Sequence, residues 1–472
     1  MTATRLRVRD VQLRERDVRL RMPFRFGVVT LTEATEAYVR VRLELEGGGT
    51  GWGAAAEMLA PKWFDKDPAR SNAENVEQLR ASIRLARGLY TERGDARTPF
   101  ELFADTYHAQ IAACERRGLN RLVAGYGPAL LDRAVLDAVC RARGLSFYDA
   151  VRTNLPGIDP ARLLPEFSGF DIDTFLAALR PAREIYARHT VGLVDPITHD
   201  DGHDPVGDGL PETLEDVVAA YGHRHFKLKV GGDGAADLAR LVAIAGVLDR
   251  ARDPYVVTLD GNEQYASAGA VTELWSAMSG EPRLRRLVDS VIFIEQPITR
   301  STALAEHIGP LAACRPVIID ESDADLDAFV RARAVGYRGV SSKTCKGLYK
   351  SIVNAARCAR WNAEVGAATY FMSGEDLTTQ AGLALQQDLA LVSLLGLTHV
   401  ERNGHHYVDG MAARPAAEQR AFVTAHADLY GVDRGVVRVR ITGGRLAIGS
   451  LACAGFASAA EPDWSSMREM PA

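Results

Sequence analysis

The apolar positions change period twice along the chain. Tyr38-Val39-Arg40-Val41-Arg42-Leu43-Glu44-Leu45 alternates at period two, as a half-buried strand does, and Glu46-Gly47-Gly48-Gly49-Thr50-Gly51 supplies the turn after it. From about 73 to 151 the period becomes helical, with Leu131, Ala134, Val135 and Ala138 sharing one helix face. Residues 1–151 therefore predict an α+β N-terminal domain, and 152–188, which follows neither period, reads as a linker or insertion. Beyond His189 short apolar runs alternate with helical stretches, at 190–194, 225–230, 255–260, 291–295, 316–320, 339–343, 366–371 and 397–401. Eight strands alternating with helices predict a parallel (β/α)8 barrel over 189–410. The tail, 411–472, returns to alternation in Val437-Arg438-Val439-Arg440-Ile441 and is expected to pack back on the N-terminal domain.

Composition narrows the function classes. With 472 residues, 47% hydrophobic and 25% charged, the chain has the makeup of an ordinary globular protein. A net charge of −5 gives no basic footprint, and the arginines interleave with acids, as in Arg14-Glu15-Arg16-Asp17, so no nucleic-acid partner is expected. The six cysteines form no CxxC pair, which argues against structural zinc and a disulfide framework and fits a reducing cytoplasm. No apolar run reaches the ~18 residues needed to span a bilayer, so no membrane partner is expected. Arg5 to Arg9 alternates basic and apolar residues, which suits a first strand better than a signal peptide. A homo-oligomer is expected.

In a (β/α)8 barrel the chemistry sits at the C-terminal ends of the strands. The second run ends Phe226-Lys227-Leu228-Lys229-Val230, and period two sends Lys227 and Lys229 inward. The next four close on Asp260, Glu295, Asp320 and Lys343. The spacings from Lys229 are 31, 35, 25 and 23 residues, each about one ~30-residue strand–helix unit. A single charged strand end is an ordinary solvated one. Five in succession, with the carboxylates grouped between lysines, predict three hard oxygen ligands converging on a site suited to Mg²⁺.

FKLKV, TLDGN, FIEQP, IIDES and SSKTCK (starting at 226, 258, 293, 318 and 341) resemble, in order, the strand ends of the enolase superfamily. A lysine on the sixth strand resembles the muconate-lactonizing-enzyme branch, with its muconate cycloisomerases, o-succinylbenzoate synthases and dipeptide epimerases. The resemblance implies a modified TIM barrel under a capping domain, with Asp260, Glu295 and Asp320 holding Mg²⁺, or Mn²⁺ in its place. It implies Lys229 and Lys343 as the acid/base pair, Lys227 as an electrostatic helper and Glu321 as a partner behind the ligands. In this family two loops of the capping domain close over the barrel, and the matching positions make Arg25 and Trp63 candidate substrate contacts, with Phe24 and Phe26 as packing residues. Glu375 either lines the pocket or is a helix N-terminal acid.

The sequence also departs from its relatives. The run after Lys343 is Lys346-Gly347-Leu348 rather than paired glycines, and Lys346 reads as a helix-start surface residue. The eighth strand offers His399-Val400-Glu401-Arg402-Asn403 instead of the paired aspartates with which dipeptide epimerases hold an ammonium. No histidine lies between 344 and 398, where sugar-acid dehydratases carry a catalytic one. His405 and His406 read as loop residues, since adjacent side chains diverge. The expected function is a racemase or epimerase acting on a small carboxylate by α-proton transfer through an enediolate. Cycloisomerisation or β-elimination by the same lysines is the alternative, and a non-catalytic barrel that binds an acidic metabolite is the rival of another class.

Overall fold

A computed structural model describes residues 3–27, 29–92, 94–251 and 253–472. Its opening is an antiparallel sheet of β1 (Leu6–Phe26), β2 (Val29–Leu45) and β3 (Thr50–Met58). Period-two alternation buries Val39, Val41 and Leu43 against the helices α1 (Asn72–Thr91), α2 (Pro99–Glu115) and α3 (Arg121–Arg143). Capping boxes start two of these helices, Ser71 with Glu74 and Thr98 with Glu101, which satisfies orphan N–H groups at each start. Gly144, in the left-handed region, ends the third. The helix α3 lies so close to β3 that a Cβ on Gly53 would sit 2.1 Å from the Ala138 nitrogen and 2.3 Å from the Ala134 carbonyl oxygen. Only glycine fits there.

The second unit is a closed ring of eight parallel strands: β4 (Glu184–Val191), β5 (His225–Lys229), β6 (Val256–Asp260), β7 (Val291–Glu295), β8 (Val317–Ile319), β9 (Gly339–Ser342), β10 (Phe371–Gly374) and β11 (His399–Arg402). Pairing of His399–Arg402 with Tyr186–His189 closes the ring. The fold is thus an α/β, (β/α)8-type barrel with an α+β N-terminal domain, as the sequence pattern predicts.

Two strands differ from their expected positions. The first begins at Glu184, inside the stretch read as linker, because its inward positions Arg188 and Thr190 are polar and carry no hydrophobic signal. The seventh starts at Phe371 rather than near 366, because Gly366, with φ 70°, ends the preceding helix. The tail packs against both units. Of its strands β12 (Tyr430–Asp433), β13 (Val436–Val439), β14 (Arg445–Ala447) and β15 (Arg468–Glu469), the alternating stretch forms a separate pair, β12 with β13. The strand β14 adds to β4 of the barrel, and β15 to β1 of the N-terminal sheet. Among the described residues no helix is long and apolar enough to cross a membrane.

His426 anchors this tail. It is buried, its Nε2 accepts the Ala459 amide at 3.0 Å, and its Nδ1 lies 3.0 Å from Ser450 Oγ. Burial lowers its pKa to about 4, so the folded protein keeps it neutral. The stabilisation is complete above the ordinary value of about 6.5 and is lost as pH falls towards 4, by at most about 3 kcal/mol. Urea unfolding across that window should show this loss, and a His426→Asn variant should show a flatter profile. Identical profiles would contradict the assignment.

Candidate active site

The inward positions near the C-terminal ends of the strands are charged almost all round the ring. Lys227 lies at the centre, and its ammonium meets four carboxylates: Asp260 Oδ2 at 2.8 Å, Glu295 Oε2 at 2.8 Å, Glu375 Oε2 at 2.8 Å and Glu401 Oε2 at 2.9 Å. All five residues are buried. Burial alone would lower the Lys227 pKa, but the four carboxylates outweigh it and hold the pKa well above the lysine range. Against its own burial, Lys227, Lys229 and Lys343 pull Glu401 well below the usual carboxylate range. Lys229 donates to Asp260 Oδ2 at 2.5 Å, and Lys343 to Asp320 Oδ2 at 2.7 Å. Lys346 is not a surface residue: it is buried, donates to Ser341 Oγ at 2.6 Å and lies 3.0 Å from Asp323.

Of the three expected metal ligands, Asp260 and Glu295 are direct register partners on β6 and β7 and converge on one cation, the Lys227 ammonium. Asp320 follows β8 and is held by Lys343 and, at 3.4 Å, by Lys346. Burial works to raise the Asp320 pKa, yet these lysines and Lys227 depress it far below the aspartate range. Glu295 behaves oppositely. Burial first, then Asp260 and Glu375, push its carboxyl well above the usual value despite Lys227, which donates to its Oε1 at 2.9 Å. A buried carboxylate short of positive charge, between two acids on neighbouring strand ends, fits a hard divalent cation. Glu321, expected as a partner behind the ligands, accepts from Asn262 Nδ2 at 3.3 Å and Lys66 Nζ at 3.4 Å.

The N-terminal domain covers this end of the barrel. Lys229, Lys343 and Glu401 share a pocket with Trp63, Phe24 and Phe26, and the Lys343 ammonium sits 4.3 Å from the Trp63 ring centre. At the β1–β2 hairpin the two phenylalanines pack in the core, as expected of them, and also border this pocket. Phe24 and Phe26 line the pocket, whereas Arg25, one residue out of phase in the strand, is exposed. Glu375 does not line the pocket either; Lys227 and Arg188 consume its carboxylate. The loop that bears Trp63 is tied to the barrel rim by Arg300, which donates to the carbonyls of Trp63 and Phe64 at 2.8 and 2.9 Å and forks onto Glu263. Lys66 reaches the same Glu263 at 2.6 Å. Asn262 and Glu263, at the root of this contact, hold left-handed backbone at φ 40° and 69°, strain of the kind that persists where surrounding contacts enforce it. The space left beneath these loops is about 20 Å³, room for about one water. Cavities of about 210 and 220 Å³ lie elsewhere, but neither contains these lysines and carboxylates.

The sequence pattern missed Glu401, Arg188, Lys66 and Arg300. Glu401 was within reach, because it closes the eighth run as Glu295 closes the fourth. The other three depend on contacts between distant segments.

Residues 209–426 match the family profile described as enolase C-terminal domain-like. The matched stretch spans all but the first strand of the ring. Among solved structures the chain is similar to a dipeptide epimerase from Enterococcus faecalis, complexed with Mg and the dipeptide L-Leu-L-Tyr (14% identity, 96% of this chain and 99% of that chain, TM-score 0.60). It is also similar to 2-chloromuconate cycloisomerase from Rhodococcus opacus (17% identity, 97% and 98% coverage, TM-score 0.58). A third similar structure is a mandelate racemase/muconate lactonizing enzyme from Bordetella bronchiseptica (18% identity, 98% of each chain, TM-score 0.58). A search of curated protein sequences finds no match.

Lys227 supports the site and the fold together. Lys227→Met should destabilise the protein by about 3–5 kcal/mol in urea unfolding, because it strands buried carboxylates. A loss below about 1 kcal/mol, typical of an exposed pair, would contradict the central role of this ammonium.

Proposed function

We propose that the protein is a Mg²⁺-dependent isomerase that removes and returns the proton next to a substrate carboxylate, working as a racemase or epimerase in the manner of the muconate-lactonizing-enzyme branch. The observation that carries this reading is that Lys229 and Lys343 line one covered pocket from β5 and from the end of β9, strands four apart in a ring of eight. Asp260, Glu295 and Asp320 would hold Mg²⁺ or Mn²⁺, which when bound offsets negative charge developing on the substrate carboxylate.

The residues of the chain do the rest. Lys229 and Lys343 exchange the proton at opposite faces of the carbon. Burial works to lower the Lys343 pKa, but Asp320 overcomes that and holds it above the usual lysine range. Trp63, Phe24 and Phe26 exclude water over the reacting carbon. Glu401 is spent on Lys227 and Thr190, and Asp376 on Arg402, so these acids are engaged within the protein rather than turned to a substrate ammonium. This favours a carboxylate without an α-amino group.

The test is α-proton exchange in D₂O, followed by ¹H NMR, over a panel of chiral carboxylates with Mg²⁺. Lys343→Ala should abolish exchange from one enantiomer and spare some from the other, and Lys229→Ala should do the reverse. Net racemisation should fall in both by more than the ~10²–10⁴-fold typical of one acid or base, since proton return also fails. Variants that are not mirror images would replace racemisation with cycloisomerisation or β-elimination, where one lysine takes the proton and the other only stabilises charge.

A further inference from the structure

A second constellation of ligating side chains lies outside the ring, on the opposite side of β4 from the lysines. Arg188 and Thr190 point into the barrel, so His189 between them points out towards the helical layer. It meets His223, in the turn before β5, and His405, in the helical turn Gly404–Tyr407 after β11. The strands β11, β4 and β5 are consecutive neighbours in the ring, so the three histidines gather where the barrel closes. Their ring centres form an almost equilateral triangle with sides of 5.3, 5.5 and 5.3 Å. Three imidazoles around one tetrahedral ion, with metal–nitrogen bonds of about 2.1 Å, would have ring centres about 5.2 Å apart. Ligand nitrogens of all three lie within 4.8 Å of one another, and among the described residues no other trio of His, Cys, Asp or Glu reaches that closeness.

The hydrogen bonding makes the same case. His223 Nδ1 lies 3.0 Å from the Ala187 carbonyl oxygen, which fixes the proton there and leaves Nε2 with its lone pair free. That Nε2 is buried without a partner, as are His189 Nδ1 and both ring nitrogens of His405. His189 and His223 are 2% and 4% exposed. Unpartnered nitrogens this deep are costly unless something binds them, and here one nitrogen of each ring lies within 4.8 Å of the others. Burial also keeps the rings neutral, the form that binds metals, with His223 lowered to about 4. A ligating histidine whose other nitrogen bonds a backbone carbonyl is the usual arrangement at metal sites. His405 also borders a cavity of about 220 Å³, which supplies a way in and space for a fourth ligand.

We propose that His189, His223 and His405 form a second metal site, specific for a borderline divalent transition ion such as Zn²⁺, with its fourth position open to the neighbouring cavity. Three imidazoles select Zn²⁺, Co²⁺, Ni²⁺ or Cu²⁺ and reject Mg²⁺, which the oxygen-rich interior suits instead. The site requires nothing of the activity assigned above. It joins segments attached to three strands at the seam of the barrel, immediately behind the Thr190–Glu401 hydrogen bond of 2.6 Å.

Co²⁺ is the probe, because its visible absorption reports coordination number. Metal-stripped protein titrated with Co²⁺ in excess Mg²⁺ should take up one equivalent with the intense band of a four-coordinate ion, and Zn²⁺ should displace it. His405→Ala and His223→Gln should lose the band, with affinity falling by more than the ~10–100-fold that loss of an outer hydrogen-bond partner costs. Asp260→Asn should keep it. His405 is half-buried on a surface turn, so that variant decides the matter should His223→Gln fail to fold; circular dichroism checks both. Absence of a four-coordinate band would overturn the site. So would a band that survives His405→Ala, or one that disappears with Asp260→Asn.

Discussion

One ammonium organises the interior of this barrel. Lys227 sits among Asp260, Glu295, Glu375 and Glu401, which come from four different strand ends and none of which reaches water. Buried charges of one sign cannot share so small a volume without a counter-charge, since taking each ion out of water costs several kcal/mol. The lysine therefore fixes the inward register of β5, and the carboxylates fix theirs against it. Even so the compensation is incomplete at Glu295, which Lys227 fails to hold in the usual carboxylate range. Two carboxylates from neighbouring strand ends meeting at one cation give the metal assignment its physical basis.

The cover over this interior is bonded to it rather than laid on top. The Thr344 hydroxyl, next to Lys343, donates to Glu57 of β3 and its backbone N–H to Asp388 of the barrel, both at 3.1 Å. Glu57 pairs at 3.1 Å with Arg133 of α3, and both are fully buried. Burial, opposed by Arg133 and Thr344, raises the Glu57 pKa to about 7. Together with the Arg300–Glu263–Lys66 cluster, this chain ties the loop bearing Trp63 to the strand ends that bear the lysines. These contacts hold the Trp63 loop over the pocket, and the outer cluster is the one nearer solvent.

Much of this was legible in the sequence because it is periodic. Charged residues that close hydrophobic runs at intervals of one strand–helix unit locate Lys229, Asp260, Glu295, Asp320 and Lys343 without any knowledge of contacts. What failed did so for identifiable reasons. Polar inward residues such as Arg188 and Thr190 hid the start of the first strand, because the interior they face is itself ionic. Arg25 looked chemically apt, but strand alternation gave the pocket to Phe24 and Phe26 instead. His405 looked like loop, and its partners His189 and His223 are separated from it by most of the barrel in sequence, so only ring closure brings the three together.

The central claim is that the carboxylates on β6, at the end of β7 and after β8 exist to hold a divalent ion that outcompetes Lys227. A crystal structure of the protein grown with Mg²⁺ tests this most directly. The account predicts one ion bound by Asp260, Glu295 and Asp320 at about 2.0–2.1 Å, with the Lys227 ammonium drawn back onto Glu375 and Glu401. A saturating Mg²⁺ structure in which Lys227 still bridges Asp260 and Glu295, with no ion among the three carboxylates, would contradict it.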